Sequence, residues 1–401
     1  MEGLKIGIVR EGRIPVDRRV PLLPAQCVEI QNKYKVEIII QPSDIRCIAN
    51  KEYLNVGLKL SEDLSDCDII LGIKEIPIHL LIPSKTYLFF SHTIKMQPHN
   101  QKLLQTILGK KITLIDYECL KDEMGNRIIA FGRFAGIVGA YNGLMIYGKK
   151  YKLFDLKRAF QCYDLEDVKR QLNTIKLPNI RIAVTGSGRV AKGTMEILDF
   201  LNIPKVDAEK FCAPGQNQPA YIHLNSLSYH SRIDAQAPTN VDFYAYPEKY
   251  KSVFAQYAQC TDLLIAAAYW NPNAPMLFSK VDMKSDNFKI KVIADITCDV
   301  GGSIPSTIKA STIYDPAYDY NPQLEVLEAP FSDGRNITVM AIDNLPGELP
   351  RDASKDFGVQ LMQNVLPSLL SSNYSPIIEN GTIATNGRLG PLFQYLESFA
   401  R

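Results

Sequence analysis

The sequence predicts an α/β protein of two domains with mostly parallel sheets. Three observations carry that expectation. The chain of 401 residues is longer than one ordinary core requires. Short apolar runs alternate with amphipathic stretches in two successive series, the pattern of repeated β-α units. The second series opens on a glycine-rich turn set between a strand and a helix.

In the first series the strand segments are LKIGIVR (4–10), KVEIII (35–40), CDIILGI (67–73), TYLFFS (86–91) and KITLID (111–116). PAQCVEIQNKY (24–34) and NQKLLQTIL (100–108) have helical spacing, and Pro24 stands where a first helical turn tolerates it. RFAGIVGAYNGLMIYGKKY (133–151) reads as a long helix rich in Gly and Ala, able to bridge two domains at close backbone approach. The second series runs through IRIAVTGSG (180–188), TMEILDFL (194–201), DLLIAAAYW (262–270), KIKVIADI (289–296) and NITVMAID (336–343). Between Pro204 and Tyr250 no period is visible, so surface loops with at most one short strand are expected there. The last long helix is SKDFGVQLMQNVLPSLL (354–370), bent or stopped at Pro367. These segments place domain boundaries near 145 and 340, and the tail after 340 has too little core to stand alone.

Forty-five Lys and Arg stand against 43 Asp and Glu, a formal charge of +2. That balance gives no field for nucleic acid or a membrane surface, so the expected partners are small molecules, with a homo-oligomer open. No apolar run approaches bilayer length, and the start, MEGLKIGIVREGR, argues against a leader peptide. The eight cysteines are scattered without metal-ligand spacing, which predicts no metal site, no disulfides, and reduced thiols in the cytoplasm.

The glycine turn is the sharpest local signal. The strand Ile180–Val184 runs into G-x-G-x-x-A at Gly186, Gly188 and Ala191, and a helix follows. This is the arrangement that lets backbone amides and a helix N-terminus meet a pyrophosphate, although a ligand-free β-α turn has the same spacing. Asp207 and Glu209 lie where an acidic residue would bind a ribose hydroxyl, and Lys210 where a cation would meet a 2′-phosphate, so NAD and NADP both stay open. Lys74 and His92 stand just past two strand segments. On spacing alone they are either an acid–base pair at a sheet edge or a solvated lysine and a capping histidine. His79, His99, His223 and His230 lie in loop-like contexts and are expected at the surface. GRIPVDRRVPLLP (12–24) gathers three arginines, as suited to a solvated loop as to carboxylate binding.

VREGRIPVDRRVPLLP, IILGIKEIP, LFFSHTIKMQ, LIDYECL, RIIAFGRFAGIVGA, VTGSGRVAKG, PEKYKSVFAQY, AYWNPNAPMLF, VIADITCDVGGSIPST and MAIDNLPGELPRDAS occur in that order over nearly the whole chain. Together they resemble the alanine dehydrogenase/transhydrogenase superfamily. Within it the chain is most similar to the saccharopine-forming lysine–2-oxoglutarate reductases and lysine-forming saccharopine dehydrogenases. The resemblance implies two Rossmann-like domains with an interdomain cleft: residues 1–145 plus 341–401 for substrate, and 146–340 for the dinucleotide. It implies Lys74 and His92 as the acid–base pair, Arg19 and Lys95 at substrate carboxylates, and Glu118 as the tuner of the lysine's charge. On the cofactor side it places Gly186, Ser187, Gly188, Arg189 and Val190 on pyrophosphate, with Asp299, Asp343, Asn344 and Leu345 near the nicotinamide. The implied reaction joins L-lysine and 2-oxoglutarate into saccharopine by imine formation and hydride transfer. In the NAD-using branch an acidic residue ends the second nucleotide-domain strand. The nearest match here falls around Cys212, which leans the cofactor from NAD(H) toward NADP(H). Amino-acid dehydrogenases acting on alanine, and a transhydrogenase-like nucleotide-binding subunit, are the alternatives.

Overall fold

The computed structural model describes residues 3–371 and 375–401; Met1 and Glu2, which begin the expected N-terminal segment, lie outside the described residues. The chain divides into two compact units, Met1–Phe131 with Pro350–Arg401, and Gly132–Leu349.

In the first unit the apolar runs form strands β1 (Lys5–Ile8), β2 (Glu37–Ile40), β3 (Lys59–Leu60), β4 (Ile69–Leu71), β5 (Thr86–Phe89) and β6 (Thr113–Asp116). The two-residue β3 was not foreseen, nor were strands Thr382–Thr385 and Arg388–Leu389 near the C-terminus. They pair in parallel in the order β6-β5-β4-β1-β2-β3, and strands Thr382–Thr385 and Arg388–Leu389 extend the β6 edge antiparallel. Helices α1 (Pro24–Tyr34) and α2 (Pro98–Gly109) lie in the crossovers. The chain builds away from β1 toward β3 and then returns to its other side at β4. The switch point of the sheet therefore lies between β1 and β4, where open α/β sheets hold their ligands. The predicted helix 354–370 is observed as helix Pro350–Gln360, a π-turn at Leu361–Val365 and a short turn Leu366–Leu369. The wider π-turn falls just ahead of Pro367, where an ordinary helical bond is lost.

The second unit contains β7 (Arg181–Thr185), β8 (Ala220–Leu224), β9 (His230–Arg232), β10 (Tyr250–Ser252), β11 (Leu263–Ala266), β12 (Val292–Asp295), β13 (Tyr318–Asn321), β14 (Val326–Glu328) and β15 (Ile337–Met340). Seven of these form one sheet in the order β14-β13-β15-β12-β11-β7-β8, parallel from β15 to β8, while β9 and β10 make a separate antiparallel pair. Its switch point lies between β7 and β11. Helix α3 (Gly132–Lys150) crosses helix α4 (Arg189–Phe200) at backbone contact: a Cβ at Gly193 would sit 2.0 Å from the Arg133 carbonyl oxygen. That contact holds all of α3 in this unit, so the units part at 131/132 and 349/350 where the sequence put boundaries near 145 and 340.

Two expectations are corrected here. The stretch from Pro204 to Tyr250 is not mainly loop: it supplies β8, β9, helix Asn240–Ala245 and the start of β10. The thiols are not all reduced, because Cys212 and Cys260 form a disulfide, while the other six cysteines are free. No helix among the described residues is long and apolar enough to cross a membrane.

Candidate active site

The chemistry-bearing residues of the first unit gather at the C-terminal ends of β1, β4, β5 and β6. Glu11, just past β1, accepts the backbone amides of Ile73 (2.7 Å) and Lys74 (2.9 Å), which fixes the turn that carries Lys74. Burial and the Asp17 charge push Glu11 up to about 8, against the pull of those two amides. Arg19 and Asp17 form a bidentate pair, Nε to Oδ1 at 3.0 Å and Nη2 to Oδ2 at 2.5 Å, with both side chains only 2% exposed. Burial alone would raise Asp17, but the Arg19 guanidinium holds it well below the usual carboxylate range. The guanidinium also lies 4.1 Å over the Phe131 ring, which stacks on Phe357.

Lys74 is brought down to about 8, first by burial and then by the positive charges of Arg19 and Arg13; Asp17 and Glu75 act the other way. His92 follows β5 in a left-handed conformation, φ +53°, that aims its ring back toward the turn after β4. Its Nδ1 is hydrogen-bonded to Glu75 Oε1, and Arg13 lies 3.5 Å from the other Glu75 oxygen. Burial works to raise Glu75, yet its bond to His92 brings it below its ordinary value.

Asp116, at the end of β6 and fully buried, ties these strand ends together. Its Oδ2 accepts the Ser91 amide (2.8 Å) and hydroxyl (2.5 Å), and its Oδ1 accepts the Glu118 amide (2.7 Å). Glu118 pairs with Arg127 and lies 3.8 Å from Lys95. Of the residues expected here, Lys74, His92 and Arg19 thus stand at the switch point and Lys95 meets Glu118. The carboxylates acting on Lys74 are Asp17 and Glu75; Glu118 faces the other two cations. Sequence reasoning missed Glu11, Asp17, Glu75 and Asp116, although Asp17 and Glu75 lie inside the motifs VDRRV and KEIP.

In the second unit Gly186 ends β7 with φ +99°, and a Cβ there would come 2.6 Å from the Ala267 carbonyl oxygen after β11. Only glycine fits that turn. Gly188 is the N-cap of α4 and offers no side-chain cap, the first turn carries no acidic residue, and a Cβ at Gly188 would enter open space. These features fit a pyrophosphate on the helix N-terminus. Asp299 follows β12, and Asp343, Asn344 and Leu345 follow β15, all at the same sheet edge as Gly186. The strand after α4 is β8, so the residue at its end is Asn225, not an acid near 207 or 212; its Oδ1 accepts the amides of Leu227 and Ser228. Two expected surface histidines are also relocated. His223, on β8, donates Nε2–H to the Gly186 carbonyl at 2.7 Å, and His230 is buried.

Two mostly parallel sheets with switch points, one of them closed by a glycine turn onto a helix, define a Rossmann-type α/β fold. An L-alanine dehydrogenase has that fold over 99% of this chain and 100% of its own, with a TM-score of 0.65 at 14% identity. Residues 7–138 match the Alanine dehydrogenase/PNT, N-terminal domain family. In sequence the chain is 32% identical to the mitochondrial alpha-aminoadipic semialdehyde synthase of Bos taurus over 95% of its length and 46% of that protein's. It is 23% identical to the saccharopine dehydrogenase [NAD(+), L-lysine-forming] of Yarrowia lipolytica, covering 89% of each. The chain therefore spans about half the length of the semialdehyde synthase it matches.

Proposed function

We propose that the protein is an oxidoreductase interconverting L-lysine plus 2-oxoglutarate with saccharopine. The observation that carries this reading is the Lys74–Glu75–His92 group beside the buried Arg19, at the switch point of the first unit. It is supported by the Yarrowia relative, whose name states saccharopine and L-lysine chemistry.

The substrate ε-amine must lose a proton before it attacks the ketone, and the carbinolamine must gain one to expel water. Lys74, at about 8, can exchange a proton near neutral pH. Glu75 holds His92 through Nδ1, which leaves Nε2 as the atom that gives or takes the proton. Arg19, fixed by Asp17 and Phe131, is a rigid cation for a substrate carboxylate; Lys95 and Arg127 offer further cations beside Glu118. The Gly186–Val190 turn would hold a dinucleotide, which would supply hydride chemistry at the imine carbon. We assign NADP(H), because Asn225 stands where an NAD site ends its second strand in an acid, and Lys205 lies 3.5 Å from His223 next to the glycine turn. The Yarrowia relative's name states NAD(+), so NADH is the competing donor. The cytoplasm is proposed as its location, and cell fractionation tests this against the mitochondrion named for the animal relative.

The test is oxidation of NADPH or NADH with lysine and 2-oxoglutarate, each omitted in turn. Turnover that needs both, faster with NADPH, is expected. Turnover with alanine or ammonia but not lysine would overturn the assignment.

A further inference from the structure

An open groove of about 620 Å³ lies in the second unit at the sheet edge opposite the glycine turn. β11, β12 and β15 run parallel, and Asp299 and Asp343 follow the C-terminal ends of the last two. The groove is lined instead by residues just before the N-terminal ends of these strands, Asp262, Lys289, Lys291 and Arg335. Lys284, which ends helix Lys280–Lys284, and Asp286 just after it also line it. Two of its cations are already neutralised: Lys284 pairs with Glu325 at 2.7 Å and Arg335 with Asp333 at 2.8 Å. Lys289 and Lys291 form no ion pair among the described residues, and Lys291 Nζ donates only to the Arg335 carbonyl, at 3.2 Å. Lys291 is half-buried, and burial brings it below its ordinary value. Lys150, half-buried as well, is close enough to feel the Lys291 charge, and its Nζ bonds to two neutral oxygens, Thr338 Oγ1 at 2.9 Å and the Asp333 carbonyl at 3.3 Å. Against these three ammonium groups stand Asp286 and Asp262, whose carboxylate accepts the Arg181 amide at 2.8 Å, so the edge keeps a positive excess.

Ammonium groups drawn out of water without a carboxylate partner are costly, and an anion seated beside them offsets that cost. Lys289 and Lys291 flank Ile290, which is fully buried, so the two lysines share the face that lines the groove. Two residues of extended chain span about 7 Å, a spacing that lets each lysine meet one end of a short-chain dicarboxylate. We propose that this groove is a binding site for a small dicarboxylate, with Lys289 and Lys291 each holding one carboxylate. It shares no residue with the strand-end cluster of the first unit or with the glycine turn, and it stands or falls separately from the reaction proposed above.

Glutarate, a dicarboxylate with no keto group to react, is the probe. The full chain is titrated with it while amide hydrogen exchange is followed in segments 284–291 and 333–336, which keeps this site apart from any binding at Arg19. Glutarate should slow exchange saturably in both segments. Lys289→Ser and Lys291→Met should each weaken that effect at least about tenfold, the weight of one charged hydrogen bond. Lys291→Arg, which keeps the charge, should retain most of the affinity. Lys251→Ser removes the same charge from an exposed position outside the groove and should leave the affinity nearly unchanged. Exchange unaltered by glutarate in both segments, or an equal loss in Lys251→Ser, overturns the site. Inorganic phosphate protecting the same segments at lower concentration than glutarate overturns the dicarboxylate assignment.

Discussion

Lys74→Met should leave a more stable but inactive protein, and the size of the gain follows from the surroundings of Lys74. Its ordinary value of 10.5 falls to about 8 in the folded chain, through burial and the neighbouring Arg19 and Arg13. That difference corresponds to at most about 3 kcal/mol of folding free energy spent on holding the charged amine in place. Because the folded state binds its proton more weakly than the unfolded state, the penalty is complete below pH 8. It shrinks between pH 8 and the ordinary lysine value, where stability rises with pH. Methionine occupies a similar volume without the charge. The variant should therefore melt roughly 6–12 °C higher at pH 7, and its advantage should fade as the pH approaches 10. Thermal unfolding of both proteins at pH 6, 7, 8, 9 and 10 checks the curve. Turnover should drop by about 10²-fold or more, the ordinary share of a general acid–base group. A variant no more stable than the parent at pH 7, or a gain that does not change with pH, would refute the account of Lys74 as a buried, destabilised amine.

The other predictions concern single features. Asp17→Ala removes the bidentate partner of an Arg19 that is 2% exposed, and should cost about 3–5 kcal/mol in denaturant unfolding; a loss below about 1 kcal/mol would show that the pair is not effectively buried. Glu348 is fully buried, accepts from Asn142 Nδ2 at 2.8 Å, and is pushed up to about 7 from 4.5 by burial, which Arg158 only partly offsets. Its proton is held more tightly in the folded state, so wild-type stability should fall as pH rises from 4.5 to 7. Glu348→Gln should remove that fall and gain up to about 3 kcal/mol at pH 8, read from urea melts at pH 5 and 8. Gly193→Ala would place a methyl 2.0 Å from the Arg133 carbonyl oxygen and should destabilise the second unit by about 3 kcal/mol or more while sparing the first, visible as a split calorimetric transition.

What the sequence could and could not disclose follows from which interactions are local. The places of Lys74 and His92 at strand ends were legible because apolar runs mark strands, but spacing left their role open and only the family resemblance assigned it. The glycine turn was legible because strand, turn and helix adjoin in the chain. Glu11 was not, because its role depends on β1 pairing with β4, which brings it against amides 62 and 63 residues away. The disulfide joins cysteines 48 residues apart, and no spacing rule reaches that far. β8 was missed because AYIHL carries a histidine and follows a polar, proline-bearing stretch that hides its period, although all but one of its residues are buried in the sheet.

Overall charge was the most misleading quantity of all. A formal +2 over the whole chain says nothing of the strand-end cluster, where Arg13, Arg19, Lys74, Lys95 and Arg127 stand among Glu11, Asp17, Glu75 and Glu118. Counted as formal charges these nearly cancel, a poor receptor for the anionic substrate proposed above. Glu11 changes the count. Raised to about 8, it is largely protonated at neutral pH, which leaves five cations against three carboxylate charges. The same burial that neutralises Glu11 also lowers Lys74, so one desolvated turn sets both the anion preference of the cluster and the readiness of its lysine to exchange a proton.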